Sequence, residues 1–138
     1  MTGTYEHSLD NAGRLIVPSK LREKLGTTFY LAVGVKENLT LYPMSTWAKL
    51  QERVSQLNTA QAAEMDLFFA SAQKCEADKQ WRFQMPGYLK DYAKIDRDVV
   101  ITGNNDRAQI WSAESWQAKR RQELNPENIS NLLNRLGI

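Results

Sequence analysis

The chain has 138 residues, of which 42% are hydrophobic and 25% are charged, and 18 basic against 16 acidic residues leave a net charge of +2. This composition is ordinary for a soluble globular protein with one compact domain or two small halves that share a core. No run of about 18 apolar residues is present, and the first residues lack the basic and apolar segments of a signal peptide, so we expect neither a membrane span nor secretion. The small charge excludes strong nucleic-acid binding by overall charge alone, and such binding would require locally placed charges or many subunits.

One sequence motif occurs twice in the chain. The stretch Asp10–Glu23 reads DNAGRLIVPSKLRE, and 68 positions later Asp78–Asp91 reads DKQWRFQMPGYLKD. Further on, matches such as Gly34 with Gly103 follow an offset of 69, which predicts a single register slip in one loop. An ordered series of this kind indicates internal duplication.

Each repeat predicts a strand, a turn, a second strand, a short helix and a hairpin. In the first unit these elements are expected over Thr4–Leu9, Asp10–Gly13, Arg14–Val17, Ser19–Leu25 and the hairpin strands Phe29–Val35 and Leu39–Tyr42. Pro18 suits the first turn of a helix, and Gly26 suits its end. The order is therefore β-turn-β-helix-β-hairpin.

Apolar residues at helical spacing follow each repeat. They are Trp47, Leu50, Val54 and Leu57; then Met65, Phe68, Phe69 and Ala72; and, in the tail, Ile129, Leu132, Leu133 and Leu136. A further helix is expected to begin near Ser112, a possible N-cap residue. The tail predicts an amphipathic helix that needs a partner surface.

The predicted domain organisation follows from these elements. It comprises a first half with its following helix (1–58), a linking helix (59–73), a second half with its following helix (74–123) and an amphipathic C-terminal tail (124–138). The fold class is α+β and rich in β structure. Because each half is too small to bury its apolar face alone, we expect the two halves to pair about a pseudo-two-fold axis around one barrel-like core.

The repeated turn carries the chemistry of interest. Asp10 can accept hydrogen bonds from the turn's own N–H groups and can hold the guanidinium of Arg14. An arginine at the tip of a hairpin can address O6 and N7 of guanine together in the major groove of DNA. Asp78 and Arg82 repeat the pattern, so the chain would present two such tips.

The residues around this turn resemble the MraZ family, which belongs to the AbrB-like, swapped-hairpin group of DNA-binding folds. The resemblance covers roughly residues 3–120. It is carried by Gly3, Tyr5, Leu9–Asp10, Gly13–Leu15, Val17–Pro18 and Leu21–Arg22, by NLTLYPMSTW (Asn38–Trp47), and by VVITGNNDRAQIWSAESW (Val99–Trp116).

The resemblance implies two AbrB-like halves in one swapped-hairpin barrel and assembly into a ring-like homo-oligomer. It also implies a bacterial transcriptional regulator, cytoplasmic and associated with the nucleoid, that binds GTG-rich direct repeats in double-stranded DNA ahead of the division and cell-wall gene cluster. By motif match, Arg14 and Arg82 take the DNA-contacting role, whereas Asp10 and Asp78 shape the turns.

The second motif departs from the family pattern, because Trp81 stands where the first motif has Gly13. If that position is left-handed, tryptophan costs about 1–2 kcal/mol there. Trp81 would otherwise lie against a base, a sugar or a neighbouring subunit. The second tip is therefore expected to be a less secure DNA reader than the first.

Two basic residues follow the first turn. Lys20 is a candidate phosphate contact, with an ordinary solvated lysine as the alternative. Arg22 is also a candidate DNA contact, and a structural ion pair is the alternative reading. Lys24 and the basic stretch Lys119–Arg121 are expected to be ordinary helix charges, the latter complementing a helix dipole.

Catalytic and metal sites are not expected. The single histidine, His7, and the single cysteine, Cys75, cannot supply the four ligands of a structural zinc site, and there is no phosphate-binding glycine loop. We expect no enzyme activity, no cofactor and no small-molecule substrate. The alternative to a DNA-binding regulator is an oligomeric protein-interaction scaffold whose DNA reading has decayed, as Trp81, the mild charge and the C-terminal helix would allow.

Overall fold

A computed structural model describes all residues, 1–138. It contains eight strands: β1 (Thr4–Ser8), β2 (Arg14–Ile16), β3 (Thr28–Val33), β4 (Leu39–Pro43), β5 (Gln73–Glu76), β6 (Arg82–Gln84), β7 (Asp98–Asn104) and β8 (Arg107–Ser112). A 3₁₀ turn (Ser19–Leu21) precedes seven helices: α1 (Arg22–Leu25), α2 (Met44–Ser55), α3 (Thr59–Ala63), α4 (Asp66–Ser71), α5 (Gly87–Tyr92), α6 (Ala113–Glu123) and α7 (Pro126–Arg135). None of these helices combines the length and the hydropathy needed to cross a bilayer.

Six strands form one antiparallel sheet in the order β1-β7-β8-β4-β3-β5, and β2 pairs with β6 in a separate antiparallel ribbon. The predicted α+β class is confirmed. The two halves complete one sheet together, since β1 pairs with β7 of the second half and β5 pairs with β3 of the first. Neither half keeps its first strand for itself.

In two strand pairs, the central residue pairs with its own counterpart from the other half. In the ribbon, Leu15 pairs with Phe83, its own counterpart at the offset of 68. In the large sheet, Thr40 of β4 pairs with Gln109 of β8, its own counterpart at the offset of 69. A pseudo-two-fold axis therefore passes through both pairs and relates the halves.

The prediction of a single register slip is wrong. Ser8 pairs with Asp98 in one half, and the symmetric pair is Glu76 with Thr28, so Thr28 corresponds to Asp98. Along the same strands, Gly34 therefore corresponds to Asn104 and not to Gly103. The second half gains two residues before its long strand and loses one in the hairpin turn. Both changes fall in connections, where length is least constrained.

The main core lies between the ribbon and the sheet. Leu15 and Phe83 point inward from the ribbon, and Phe83 meets Phe29 of β3 edge to face, with ring centroids 5.1 Å apart. Burying each such side chain contributes about 1.5–3 kcal/mol. Cys75 belongs to this core, as expected for a small apolar residue, and burial raises the pKa of its thiol to about 12.

A second apolar cluster lies outside the sheet. Trp47 of α2 is buried there, stacked on Tyr30 at 4.4 Å, and Phe68 and Phe69 of α4 cover it. The sequence predicts one linking helix over 59–73, but the structure has two, α3 and α4. The change of direction before Asp66 turns the aromatic side chains of α4 towards Trp47.

Candidate nucleic-acid interface

The ribbon β2–β6 has one buried face and one outward face. Alternation along each strand places Leu15 and Phe83 inward, so the outward face carries Arg14, Ile16, Arg82 and Gln84. Arg14 pairs with Gln84, and Arg82 pairs with Ile16. The two arginines therefore occupy diagonal positions, where backbones lie about 7–8 Å apart.

The turn before β2 holds Arg14 through Asp10. One carboxylate oxygen of Asp10, Oδ1, accepts hydrogen bonds from the backbone N–H of Ala12 at 3.0 Å and from that of Arg14 at 2.8 Å. The other oxygen, Oδ2, accepts a hydrogen bond from Nε–H of Arg14 at 2.8 Å. These bonds hold the pKa of Asp10 below its ordinary value, chiefly through the N–H of Arg14. The turn uses only Nε, the guanidinium nitrogen closest to the backbone, so holding the turn does not require the two terminal nitrogens.

The second turn has the same hydrogen bonds. Oδ1 of Asp78 accepts hydrogen bonds from the backbone N–H groups of Gln80 and Arg82, both at 2.9 Å. Its Oδ2 accepts a hydrogen bond from Nε–H of Arg82 at 3.0 Å. The pKa of Asp78 is again lowered, chiefly by the N–H of Arg82. The two arginine side chains are similarly accessible, at 36% for Arg14 and 32% for Arg82. The loss of the glycine has left the turn geometry unchanged.

The fourth position of both turns is left-handed, with φ of 78° at Gly13 and 62° at Trp81. Glycine adopts this conformation freely, whereas tryptophan is strained there by about 1–2 kcal/mol. The second turn therefore holds its shape against a local preference, and contacts of the Trp81 side chain must offset that cost.

Trp81 packs within its own subunit. Its ring lies against the main core, and the guanidinium of Arg22 sits over it at 5.3 Å from the centroid. Nε of Arg22 also donates a hydrogen bond to the carbonyl of Val17 at 3.0 Å. Arg22 forms no ion pair, so its structural role is to stack on Trp81 and bond the backbone, not to pair with an acidic residue.

Each turn is also bonded by the opposite half. The carbonyl of Gly13 accepts the N–H of Met85 at 3.0 Å, and the carbonyl of Trp81 accepts the N–H of Val17 at 2.7 Å. Only the first turn has a further bond, because Nε2 of Gln84 donates to the carbonyls of Ala12 at 2.8 Å and Gly13 at 3.3 Å.

Sequence reasoning missed Gln84. Its counterpart in the other half is Ile16, which has no donor, so the repeat itself gives no signal for this contact. The strand register of the ribbon is what places its amide beside the first turn.

The surroundings of the two turns differ in charge. Lys20 lies exposed on the 3₁₀ turn that follows β2 in the first half. Its counterpart in the second half is Tyr88, whose hydroxyl donates to the carbonyl of Ser71 at 2.8 Å. Likewise, the counterpart of Lys24 is Tyr92, which donates to the carbonyl of Gly34 at 2.6 Å. The second turn itself carries an exposed lysine, Lys79, where the first turn has Asn11, so the two halves place their positive charges differently.

His7 belongs to strand β1 and is not part of either turn. It is half-buried in β1, and burial followed by the charge of Arg22 lowers its pKa. No three histidine, cysteine, aspartate or glutamate side chains come together as a metal-binding group.

These features define a duplicated α+β protein whose halves share strands and display paired Asp-x-x-x-Arg turns on one ribbon. Two successive segments, residues 1–69 and 68–136, match a family model described as "MraZ protein, putative antitoxin-like". The chain belongs to the MraZ family.

Curated relatives agree over most of the chain. It is 43% identical over 118 residues to a protein of Lactiplantibacillus plantarum, covering 83% of this chain and 84% of that one. It is 42% identical over 132 residues to one of Natranaerobius thermophilus, covering 93% and 92%. It is 39% identical over 142 residues to one of Caldicellulosiruptor saccharolyticus, covering 100% and 99%. Each of these relatives is named "Transcriptional regulator MraZ".

Proposed function

We propose that this chain is a sequence-specific DNA-binding transcriptional regulator that reads DNA with the outward face of the β2–β6 ribbon. The observation that carries the proposal is the pair of equivalent turns, in which Asp10 and Asp78 hold Arg14 and Arg82 on one face by matching hydrogen bonds. A two-stranded ribbon fits the major groove, and arginine recognises guanine there through O6 and N7. The names of the relatives support the same function.

Arg14 is the principal reader in this proposal. Its turn is secured by Gln84 and has glycine at the left-handed position, and the exposed Lys20 is a candidate phosphate contact. Arg82 is the second reader. Arg22 remains a candidate phosphate contact, although its bonds to Val17 and Trp81 favour a supporting role. Gly13 and Trp81 supply the left-handed position that shapes the turns.

The finer features follow from the family resemblance. We propose that the halves, 1–58 and 74–123, joined by 59–73 and followed by the tail 124–138, form one swapped-hairpin barrel. The strand exchange of β1 and β5 supports this arrangement. The site would act in the bacterial cytoplasm, at the nucleoid, without cofactor, membrane or small-molecule substrate.

A ring-like homo-oligomer would supply the affinity that one copy lacks. With a net charge of only +2, one chain neutralises few phosphates. Several copies on GTG-rich direct repeats ahead of the division and cell-wall genes would gain avidity instead. Binding should therefore rise steeply with the number of repeats, and equal affinity for one repeat and for several would contradict this mechanism.

Fluorescence anisotropy tests the reading role of Arg14. Labelled duplexes carry either several GTG-type repeats at helical-turn spacing or the same bases scrambled. Wild type should prefer the repeats, and Arg14→Ala should lose that preference while keeping the mass of the oligomer. Arg53→Ala is the matched control, since it removes one exposed positive charge from α2, away from the ribbon. A variant without Arg14 that still selects the repeats would refute this assignment.

A protein-interaction scaffold is the second candidate, and the exposed apolar residues of α7 favour it. Leu132 and Leu133 of that helix are 43% and 42% exposed. A salt titration separates the two functions, because binding through phosphates weakens steeply with salt. A scaffold would show no DNA affinity at low salt.

A further inference from the structure

Beside each arginine on the outward face of the ribbon lies a second side chain, and these two side chains differ in chemistry. Gln84 pairs directly with Arg14, and Ile16 pairs directly with Arg82. Ile16 and Gln84 are counterparts at the offset of 68, so the pseudo-two-fold axis that relates the arginines also relates their neighbours. One neighbour is an amide and the other is aliphatic. The face is therefore symmetric in its arginines and asymmetric in the residues beside them.

These neighbours are close enough to share a DNA site with the arginines. Directly opposed residues of an antiparallel pair have Cβ atoms about 4.5–5.5 Å apart. Successive bases along a DNA strand are about 3.4 Å apart. Gln84 is exposed and Ile16 is half-buried, so each presents atoms at the surface. A ribbon that places an arginine on guanine therefore brings the neighbouring side chain to the same base pair or to the next one.

The first turn fixes the orientation of the Gln84 amide. Nε2 donates to the carbonyls of Ala12 at 2.8 Å and of Gly13 at 3.3 Å. Carbonyl oxygens only accept hydrogen bonds, so the nitrogen must face the turn and Oε1 must face away from it. Gly13 leaves room for this contact, because a Cβ there would lie 3.0 Å from Nε2. Gln84 therefore presents its acceptor, and not its donor, on the outward face.

An acceptor held in this way discriminates among bases. In the major groove, adenine presents its N6 amine and cytosine its N4 amine as donors, whereas O6 of guanine and O4 of thymine are acceptors. Oε1 of Gln84 can accept a hydrogen bond from either amine and is repelled by either oxygen. A freely turning glutamine would also donate to N7 of adenine, but Nε2 of Gln84 is held by the turn. Gln84 is therefore suited to adenine or cytosine and not to guanine or thymine.

Ile16 is suited to a different base. Its side chain has no polar atom, so it can neither accept a hydrogen bond from an amine nor donate one to an oxygen. Thymine carries a methyl group at C5 in the major groove, and apolar side chains recognise it there. The half-buried Ile16 side chain can therefore contact thymine favourably without leaving a polar group of its own unpaired.

We propose that Gln84 and Ile16 set different base preferences beside the two arginines. Gln84 selects adenine or cytosine next to the guanine read by Arg14, and Ile16 selects thymine next to the guanine read by Arg82. The difference orients the protein on DNA, because two equivalent arginines alone would fit the site in both directions related by the pseudo-two-fold axis. This inference rests on the proposed function, since it requires that the ribbon reads DNA.

A panel of base substitutions tests the inference with full-length protein. Each base pair of one repeat in the labelled duplex is changed in turn to the other three, and anisotropy gives the affinity for each duplex. Positions whose discrimination disappears in Arg14→Ala or in Arg82→Ala locate the two guanines. The neighbouring positions are then measured with Gln84→Ile and Ile16→Gln, which exchange the two chemistries. Ile16→Val is the matched control, because it keeps an apolar side chain.

Beside the guanine of Arg14, wild type should prefer adenine or cytosine by about two- to tenfold, the range for one hydrogen bond. Gln84→Ile should change this preference to thymine. Beside the guanine of Arg82, deoxyuridine in place of thymine removes only the methyl group and should weaken binding about fourfold. Ile16→Gln should abolish this sensitivity to the methyl group, and Ile16→Val should retain it.

The identity of the preferred base separates a base contact from a structural role. If Gln84 only supports the turn, Gln84→Ile will lower the affinity for every duplex and leave the preferred base unchanged, which would overturn its assignment. Equal binding of wild type to the thymine and deoxyuridine duplexes would overturn the assignment of Ile16. In both cases discrimination at the guanine of Arg14 would persist, and the proposed function would stand. A wild type that discriminates at no position would remove the proposed function and this inference with it.

Discussion

Trp81→Gly tests whether side-chain packing holds a tryptophan in a left-handed turn. The substitution relieves about 1–2 kcal/mol of backbone strain. It also removes an indole that is mostly buried against the core and that stacks under Arg22. A tryptophan side chain buries about 150–250 Å², so at about 25 cal/mol per Å² partial burial contributes about 3 kcal/mol, with about 0.5–1 kcal/mol more from the stacked cation. We therefore expect a net loss of about 1.5–3 kcal/mol in the free energy of unfolding.

Urea denaturation followed by far-ultraviolet circular dichroism measures this loss without relying on tryptophan fluorescence. Trp81→Asn is a useful companion, because asparagine tolerates the left-handed region but also lacks the ring. Gly13→Ala should be destabilising at the equivalent position, since the new Cβ would be strained at φ 78° and would lie 3.0 Å from Nε2 of Gln84. If Trp81→Gly is more stable than wild type, the indole contributes less than the strain it imposes, and the reasoning is refuted.

Three further predictions concern single groups. Gln84→Leu removes the hydrogen bonds that join the first turn to β6 across the ribbon. We expect it to weaken specific DNA binding measured by anisotropy and to lower the free energy of unfolding by about 0.5–1.5 kcal/mol. Unchanged binding would show that the turn does not need these hydrogen bonds. Because the pKa values of Asp10 and Asp78 are lowered, the stability that these carboxylates contribute is present above the ordinary value of 3.8 and is lost as the pH falls below it. Thermal melts across this pH range should show the protein becoming less stable. Asp10→Asn should make that decrease in stability smaller. Because the pKa of Cys75 is raised, the stability contributed by its neutral thiol is fully present below the ordinary value of 9.0 and decreases as the pH rises towards about 12. The same thermal melts on Cys75→Ala should show a shallower decrease in stability over this range.

The turns could be predicted from sequence because their hydrogen bonds are local. Asp10 bonds to Ala12 and Arg14, within four residues, so residue type and spacing specify the geometry. The same reasoning identified the left-handed position, where glycine in one copy implied the strain of tryptophan in the other. The amphipathic helices were likewise visible in the spacing of their apolar residues.

Contacts between the halves could not be predicted in this way. The bond from Gln84 to the first turn and the stack of Arg22 on Trp81 each join residues far apart in the chain. The alignment of Gly34 with Gly103 was wrong for the same reason: identical residues need not occupy equivalent positions, and Gly103 lies within β7 whereas Gly34 follows β3.

The sequence by itself thus determined the duplication, the element types and the paired aspartate–arginine turns. Only the tertiary structure decided which strands pair across the halves and which face of the ribbon is exposed. It also decided which residues distant in the chain, Gln84 for the first turn and Arg22 for the second, contact each turn. The physical reason is range: a turn is specified by hydrogen bonds among neighbouring residues, whereas strand pairing depends on which apolar faces can be buried together.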